Sequence, residues 1–198
     1  MPHIDAKKKQ INCKIVYYGT GMGGKTTNLE QIHQLTDAKN RGKLISLATE
    51  TERTLFFDFV PLAFGSIQGL ATRFHFYTVP GQSFYNLSRK AILKSVDGIV
   101  FVADSQRERH EANIDSIMNL EENLAEYRYD LKNIPHAIQY NKRDLKDIVP
   151  IDEMRRDLNP YGTQDFEAVA IKGVGVRESM EYVVNKVLET VKAELKVS

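Results

Sequence analysis

The 198-residue chain holds a single cysteine, Cys13. One thiol excludes an intramolecular disulfide and a thiolate zinc cluster, and it agrees with a reducing compartment. A surplus of charge of either sign is also missing, since 27 lysines and arginines stand against 26 aspartates and glutamates. That balance gives no broad basic surface of the kind that carries non-specific nucleic-acid binding, so nucleic acid is not expected as a main partner. Long apolar runs are absent too: the longest, such as 98–103, fall far short of the ~18 residues that cross a bilayer. The first ten residues have charges but no apolar region of a secretory signal, Pro2 stands where myristoylation needs glycine, and the last five residues hold no cysteine to prenylate. The expectation is a cytoplasmic protein without a stable membrane anchor.

What is present fits a globular domain. Hydrophobic residues make up 42% and twelve glycines add to them, which is the usual apolar share of a folded domain. No repeat, low-complexity tract or linker divides the chain, so a single domain over 1–198 is expected, with 1–10 as a flexible tail. Lys7-Lys8-Lys9 could touch anionic lipid, but three charges without an anchor or an amphipathic helix read rather as a solvated tail.

Hydrophobic spacing sets the order of elements. Residues 11–18 alternate as a strand and end at Gly19, and 26–35 then has Leu29, Ile32 and Leu35 on one helical face. Strands follow at 43–49 and 71–79, the second alternating Phe74, Phe76 and Thr78 against Arg73, His75 and Tyr77. A helix is expected over 84–96. Residues 98–104, GIVFVAD, form a short continuous apolar run that suits a central strand covered on both faces. Helices over 113–127, 150–158 and 176–195 and strands over 136–140 and 166–171 complete the pattern. Strands alternating with helices define an α/β domain with a mostly parallel sheet.

Gly19-Thr20-Gly21-Met22-Gly23-Gly24-Lys25-Thr26 matches GxxxxGK[ST], after a predicted strand and at the opening of a predicted helix. Glycines let successive amides turn inward toward phosphate oxygens, and the helix adds the partial positive charge of its N-terminus. Lys25 would reach the β and γ phosphates and the Thr26 hydroxyl would hold Mg²⁺. The candidate nucleotide contacts here are Gly19, Gly21, Gly24, Lys25, Thr26 and Thr27.

About 115 residues further on, Asn141-Lys142-Arg143-Asp144 follows a strand at its carboxyl end, where α/β sheets place ligands. An aspartate can accept N–H bonds from guanine at N1 and N2, whereas adenine offers an acceptor at N1 and no N2 amine. Asp144 therefore predicts GTP over ATP. The Lys142 stem can cover the face of the base, and Asn141 can tie this loop to the phosphate loop. The five histidines show no paired metal-ligand spacing.

With these motifs in hand, the chain resembles a small Ras-like GTPase, with Val169-Ala170-Ile171 as a third base-contacting segment. Ala48-Thr49-Glu50-Thr51-Glu52-Arg53-Thr54-Leu55-Phe56-Phe57-Asp58-Phe59 and Tyr77-Thr78-Val79-Pro80-Gly81-Gln82 narrow the resemblance to the bacterial MglA family of motility and polarity GTPases, over residues 11–195. The resemblance implies a six-stranded Ras-like sheet with helices on both faces, GTP/GDP and Mg²⁺ as ligands, and slow hydrolysis accelerated by MglB, a roadblock-fold dimer. It also implies polarity or motility effectors that bind the GTP state, and recruitment to a cell pole through partners. By matching position, Thr54 would meet Mg²⁺ and the γ-phosphate beside Thr26, Arg53 would be a built-in arginine finger, and Gln82 would orient the attacking water. The Gly81 amide could bond the γ-phosphate. Thr78 stands where small GTPases generally carry aspartate, and Thr20 and Met22 stand where the family's phosphate loops usually carry proline and leucine. The phenylalanines of 55–59 read equally as core or as a surface that one nucleotide state exposes. A second reading is a GTP-dependent binding scaffold with negligible hydrolysis of its own; both Arg53 and Gln82 favour the enzyme.

Overall fold

A run such as GIVFVAD is stable only where both faces are covered, and the structure places it inside a two-sided sheet. The computed structural model describes residues 2–46, 58–81 and 85–197. Among these the chain order is β1 (His3–Asp5), β2 (Gln10–Gly19), α1 (Lys25–Leu35), β3 (Ile45–Ser46), β4 (Asp58–Ile67), β5 (Leu70–Thr78), α2 (Asn86–Leu93), β6 (Gly98–Asp104), α3 (His110–Ala125), β7 (His136–Asn141), α4 (Ile151–Leu158), β8 (Asp165–Glu167) and α5 (Val176–Val197). The strands lie in the order β3-β4-β5-β2-β6-β7-β8, with β1 paired to β2. The run from β5 through β2, β6 and β7 to β8 is parallel. The pairs β1·β2, β3·β4 and β4·β5 are antiparallel, which makes the whole sheet mixed.

Alternation along the strands divides the core into two layers. Ile11, Cys13, Ile15 and Tyr17 of β2 pack with Leu29 and Ile32 of α1 and Val183, Val187 and Val191 of α5. Val16 and Tyr18 point the other way, to Leu93 of α2, Ile117, Leu120 and Leu124 of α3, and Met154 and Leu158 of α4. β6 is shared in the same manner, with Val100 and Val102 on the first face and Ile99, Phe101 and Ala103 on the second. Each such side chain, fully buried, contributes about 1.5–3 kcal/mol. Burial also pushes the Cys13 thiol up to about 12, so this cysteine is an inert strand residue.

The six expected strands are joined by two more, β1 and β4. β4 escapes the alternation rule because Pro61 has no N–H to give and Gly65 (φ 58) sits where the register with β5 shifts between Ala63 and Ser66. Within the stretch expected as a tail, His3, Ile4 and Asp5 pair with Asn12, Ile11 and Gln10. Of the strand expected over 43–49, Ile45–Ser46 is strand, residues 43 and 44 are not, and 47–49 lie outside the described residues. The strand expected over 166–171 ends at Glu167; beyond it Val169 bridges to Val174 and Ala170–Lys172 forms a 3-10 turn. That turn delivers Ala170 to the site instead of continuing the sheet. Among the described residues no helix is long and apolar enough to cross a membrane.

Candidate functional site

The loops that leave the carboxyl ends of β2, β6, β7 and β8 meet on one rim of the sheet, the place where open α/β sheets hold ligands. The first is the phosphate loop between β2 and α1. Gly19 has φ 139, and a Cβ there would overlap the Val102 carbonyl. Gly24 has φ 103 and no space for a Cβ because the Asn141 side chain fills it. Both positions need glycine, for a left-handed turn and for close approach. Met22 takes φ 59 with its side chain 85% exposed, a conformation that costs a side-chain residue some strain. Thr20 is buried, and its hydroxyl has no hydrogen-bond partner among the described residues.

Lys25 opens α1 and is buried, its Nζ donating to the carbonyls of Gly19 (3.0 Å) and Thr20 (2.6 Å). The first turn of α1 carries no acidic side chain of its own, so its amides keep their partial positive charge toward the loop. Asn28, one turn on, donates to the Gly24 carbonyl (2.9 Å) and exchanges bonds with Gln139 of β7, which also reaches Ser179 of α5 (2.9 Å). This buried network anchors the phosphate loop from below.

The second loop follows β7. Asn141 Nδ2 donates to the Gly23 carbonyl (2.8 Å) while Asn141 Oδ1 accepts from the Ala170 amide (2.8 Å), so a single side chain joins all three loops. Lys142 takes φ 66, and its Nζ donates to Asp104 (2.6 Å) and Gln106 (3.1 Å), which stretches the stem across the rim. Asp104 is buried at the end of β6, and the lysine compensates its charge. Asp144 lies at the mouth, 3.1 Å from Lys172. Val169 is held by the Val174 pairing that shapes the Ala170 turn. Thr78 is fully buried at the end of β5. Gly81, just beyond, lies so close to Gly21 that a Cβ would overlap its backbone.

Gly19, Gly21, Gly24, Lys25, Thr26, Thr27, Gly81, Asn141, Lys142, Asp144, Val169 and Ala170 therefore converge on one rim. Arg53, Thr54 and Gln82 lie outside the described residues. Several participants escape a reading by motif: Arg89 of α2 grips the carbonyls of Pro80 and Gly81, and Arg109 donates to the Gly21 carbonyl (3.1 Å). Asp104, Asn28, Gln139 and Ser179 belong with them. Of these, Asp104 alone carried a sequence signal, as the charge that ends an apolar strand.

A glycine cradle with no room for Cβ atoms, a buried ammonium and a helix N-terminus with no acidic side chain in its first turn fit a polyphosphate. Thr26, in the first turn of α1 beside Lys25 and only partly buried, could offer its hydroxyl to a magnesium ion there. Such an ion would supply positive charge to offset that of the phosphates. A carboxylate and a lysine stem at the neighbouring loop fit a purine. These parts define a class, the P-loop domains that bind guanine nucleotides.

Comparison with known proteins narrows it. The chain belongs to the ADP-ribosylation factor family, whose model matches residues 3–187, and within it to the MglA family of small GTPases. The Mutual gliding-motility protein MglA of Myxococcus xanthus (strain DK1622) is 58% identical over 192 residues, covering 97% of this chain and 98% of that protein. ADP-ribosylation factor-like protein 4C of Homo sapiens and of Mus musculus are each 26% identical over 185 residues, 88% of this chain and 86% of theirs. The protein is accordingly a guanine-nucleotide-binding GTPase.

Proposed function

We propose that the protein is a nucleotide-state switch for bacterial cell polarity and surface motility. It cycles between GTP and GDP forms in the cytoplasm and gathers at a cell pole through partners that read the GTP form. The observation that carries this reading is the 58% identity to the Mutual gliding-motility protein MglA across 97% of the chain. Intrinsic hydrolysis is slow, and an MglB-like roadblock-fold dimer accelerates it.

Water oriented by Gln82 attacks the γ-phosphorus in line with the bond to the β-phosphate oxygen. That bond breaks as the new P–O bond forms, the leaving oxygen stays with GDP, and the water proton departs with inorganic phosphate. Lys25, Arg53 and the inward amides neutralise the charge that spreads over the phosphoryl oxygens, which is where catalysis of this transfer chiefly lies. Thr26 and Thr54 would hold Mg²⁺, which would supply further positive charge to the phosphates. Asn141, Lys142, Asp144, Val169 and Ala170 hold the base.

The test is single-turnover GTP hydrolysis with Mg²⁺, for wild type and Arg53→Ala, with and without the roadblock partner. An arginine finger supplied in the same chain is worth ~10³–10⁵ in rate, so Arg53→Ala should lose most of the stimulated rate. Retention of full stimulation would show that the arginine is not the finger. If wild type with its partner leaves GTP intact, the protein is a scaffold whose state partners set.

A further inference from the structure

We infer that Arg89 is a positioning residue for the γ-phosphate, setting the direction of the Gly81 amide; this rests on the GTP-switch reading above. Arg89 projects from α2 and is 4% exposed, an unusual place for a guanidinium. Its Nε donates to the Pro80 carbonyl at 2.8 Å, its Nη2 to the Gly81 carbonyl and its Nη1 to Asn119 Oδ1 at 3.0 Å. The cation lies over the Tyr18 ring, 5.5 Å from its centre. These bonding partners are all neutral oxygens, so the fork spends its donors on backbone direction rather than on an ion pair.

The consequence follows from peptide planarity. The Pro80 carbonyl and the Gly81 N–H belong to one trans peptide and point in opposite directions. Gripping the carbonyl from the α2 side turns the amide away from α2. Gly81 lies against the backbone of Gly21 in the phosphate loop, so the amide is held at the edge of the phosphate cradle. The second grip, on the Gly81 carbonyl, holds the next peptide, so the two planes that flank the Gly81 Cα are tied to one guanidinium.

The fork is itself held by groups on two further elements. Asn119 of α3 accepts from Arg89 and from the Tyr18 hydroxyl (2.7 Å), and Asn123 donates to Tyr18 (3.1 Å) and to Asn86 (2.8 Å). Asn119 donates to Asn86 as well (3.0 Å). Burial raises the Tyr18 phenol above its ordinary value, which keeps it a neutral donor. A chain of polar contacts thus runs from the exposed Asn86 at the α2–α3 groove, through Asn119 and Arg89, to the peptide at Gly81. Lysine could not replace the fork, because a single ammonium cannot present coplanar donors to two successive carbonyls and an amide.

The experiment measures dissociation of fluorescent GDP and of a fluorescent non-hydrolysable GTP analogue from full-length wild type, Arg89→Lys and Asn119→Ala, with Mg²⁺. The two nucleotides differ chiefly by the γ-phosphate group, so a group that aims an amide at that phosphate should affect mainly one of them. Arg89→Lys should release the GTP analogue about tenfold faster, the worth of roughly one charge-assisted hydrogen bond, with GDP release within twofold of wild type. Asn119→Ala should act in the same direction by about threefold, and it decides the matter if Arg89→Lys does not fold. Equal acceleration of both nucleotides would reduce Arg89 to a general structural role and overturn the inference, as would unchanged release of both. Wild type that binds neither nucleotide would instead overturn the switch reading.

Discussion

Asp144 has two claims on its carboxylate, the Lys172 ammonium at 3.1 Å and the guanine edge that its position invites. The lysine is 62% exposed, and an ion pair in that setting is worth ~1 kcal/mol or less. Asp144→Asn should therefore fold with nearly wild-type stability, which separates an effect on binding from an effect on the fold. An amide replaces one acceptor with a donor, so guanine loses a partner for its N1 or N2 hydrogens. GTP affinity should fall at least about tenfold, and xanthosine triphosphate, with a carbonyl in place of the N2 amine, should gain. Competition binding with the two triphosphates reads both changes, and unchanged GTP affinity would remove Asp144 from base recognition. Lys142 differs from its neighbour in this respect: its pair with buried Asp104 means that its removal strands a charge and threatens the fold itself.

Among the elements, β6 was legible to the residue, because seven buried positions in a row leave a continuous apolar signal. α3 and α5 were legible for the same reason at helical period. Where the alternation is interrupted, at Pro61 and Gly65 in β4, or is only three residues long, as in β1, the pattern carried no more information than a loop would, while β8 was found but its end was misplaced. The phosphate loop and Asn141 to Asp144 could be read because each is contiguous and chemically specific. The Arg89 grip and the Asn28–Gln139–Ser179 network could not, since their members are brought together by packing across 8 to 111 residues of sequence and share no contiguous motif. The contact between β6 and α5 supports a sharp prediction. A Cβ on Gly98 would come within 2.7 Å of Ile15 Cδ1 and Val183 Cγ1 and within 2.9 Å of Val187 Cγ2, in a layer with no slack. Gly98→Ala should cost about 1–3 kcal/mol through overpacking. Urea unfolding should show a lower midpoint with an unchanged slope; an unchanged midpoint would mean that α5 can shift outward freely.

For the molecule as a whole, two histidines in the sheet link folding to acidity. Burial lowers the pKa of His75 in β5 and of His136 in β7 below the ordinary 6.5. Once the pH falls below 6.5, the unfolded chain takes up protons at these sites while the folded chain still refuses them, so stability rises with pH across this window. It is fully present above 6.5 and declines as the pH drops toward the folded-state values. The urea midpoint should be lower at pH 5.5 than at pH 7.5, and His136→Gln should shrink the difference. An identical pH response in that variant would assign the effect to other groups.

Asn141 fastens the phosphate loop to the base-contacting turn through the two ends of one amide. A nucleotide bridging these two loops is in effect a chelate. While its base is seated its phosphates remain at a high effective concentration beside their own pocket, and the reverse holds too, so release requires both ends to let go within one interval. A protein that hastens exchange need not displace the whole ligand. Prising away either end alone is enough to cancel the advantage of the other.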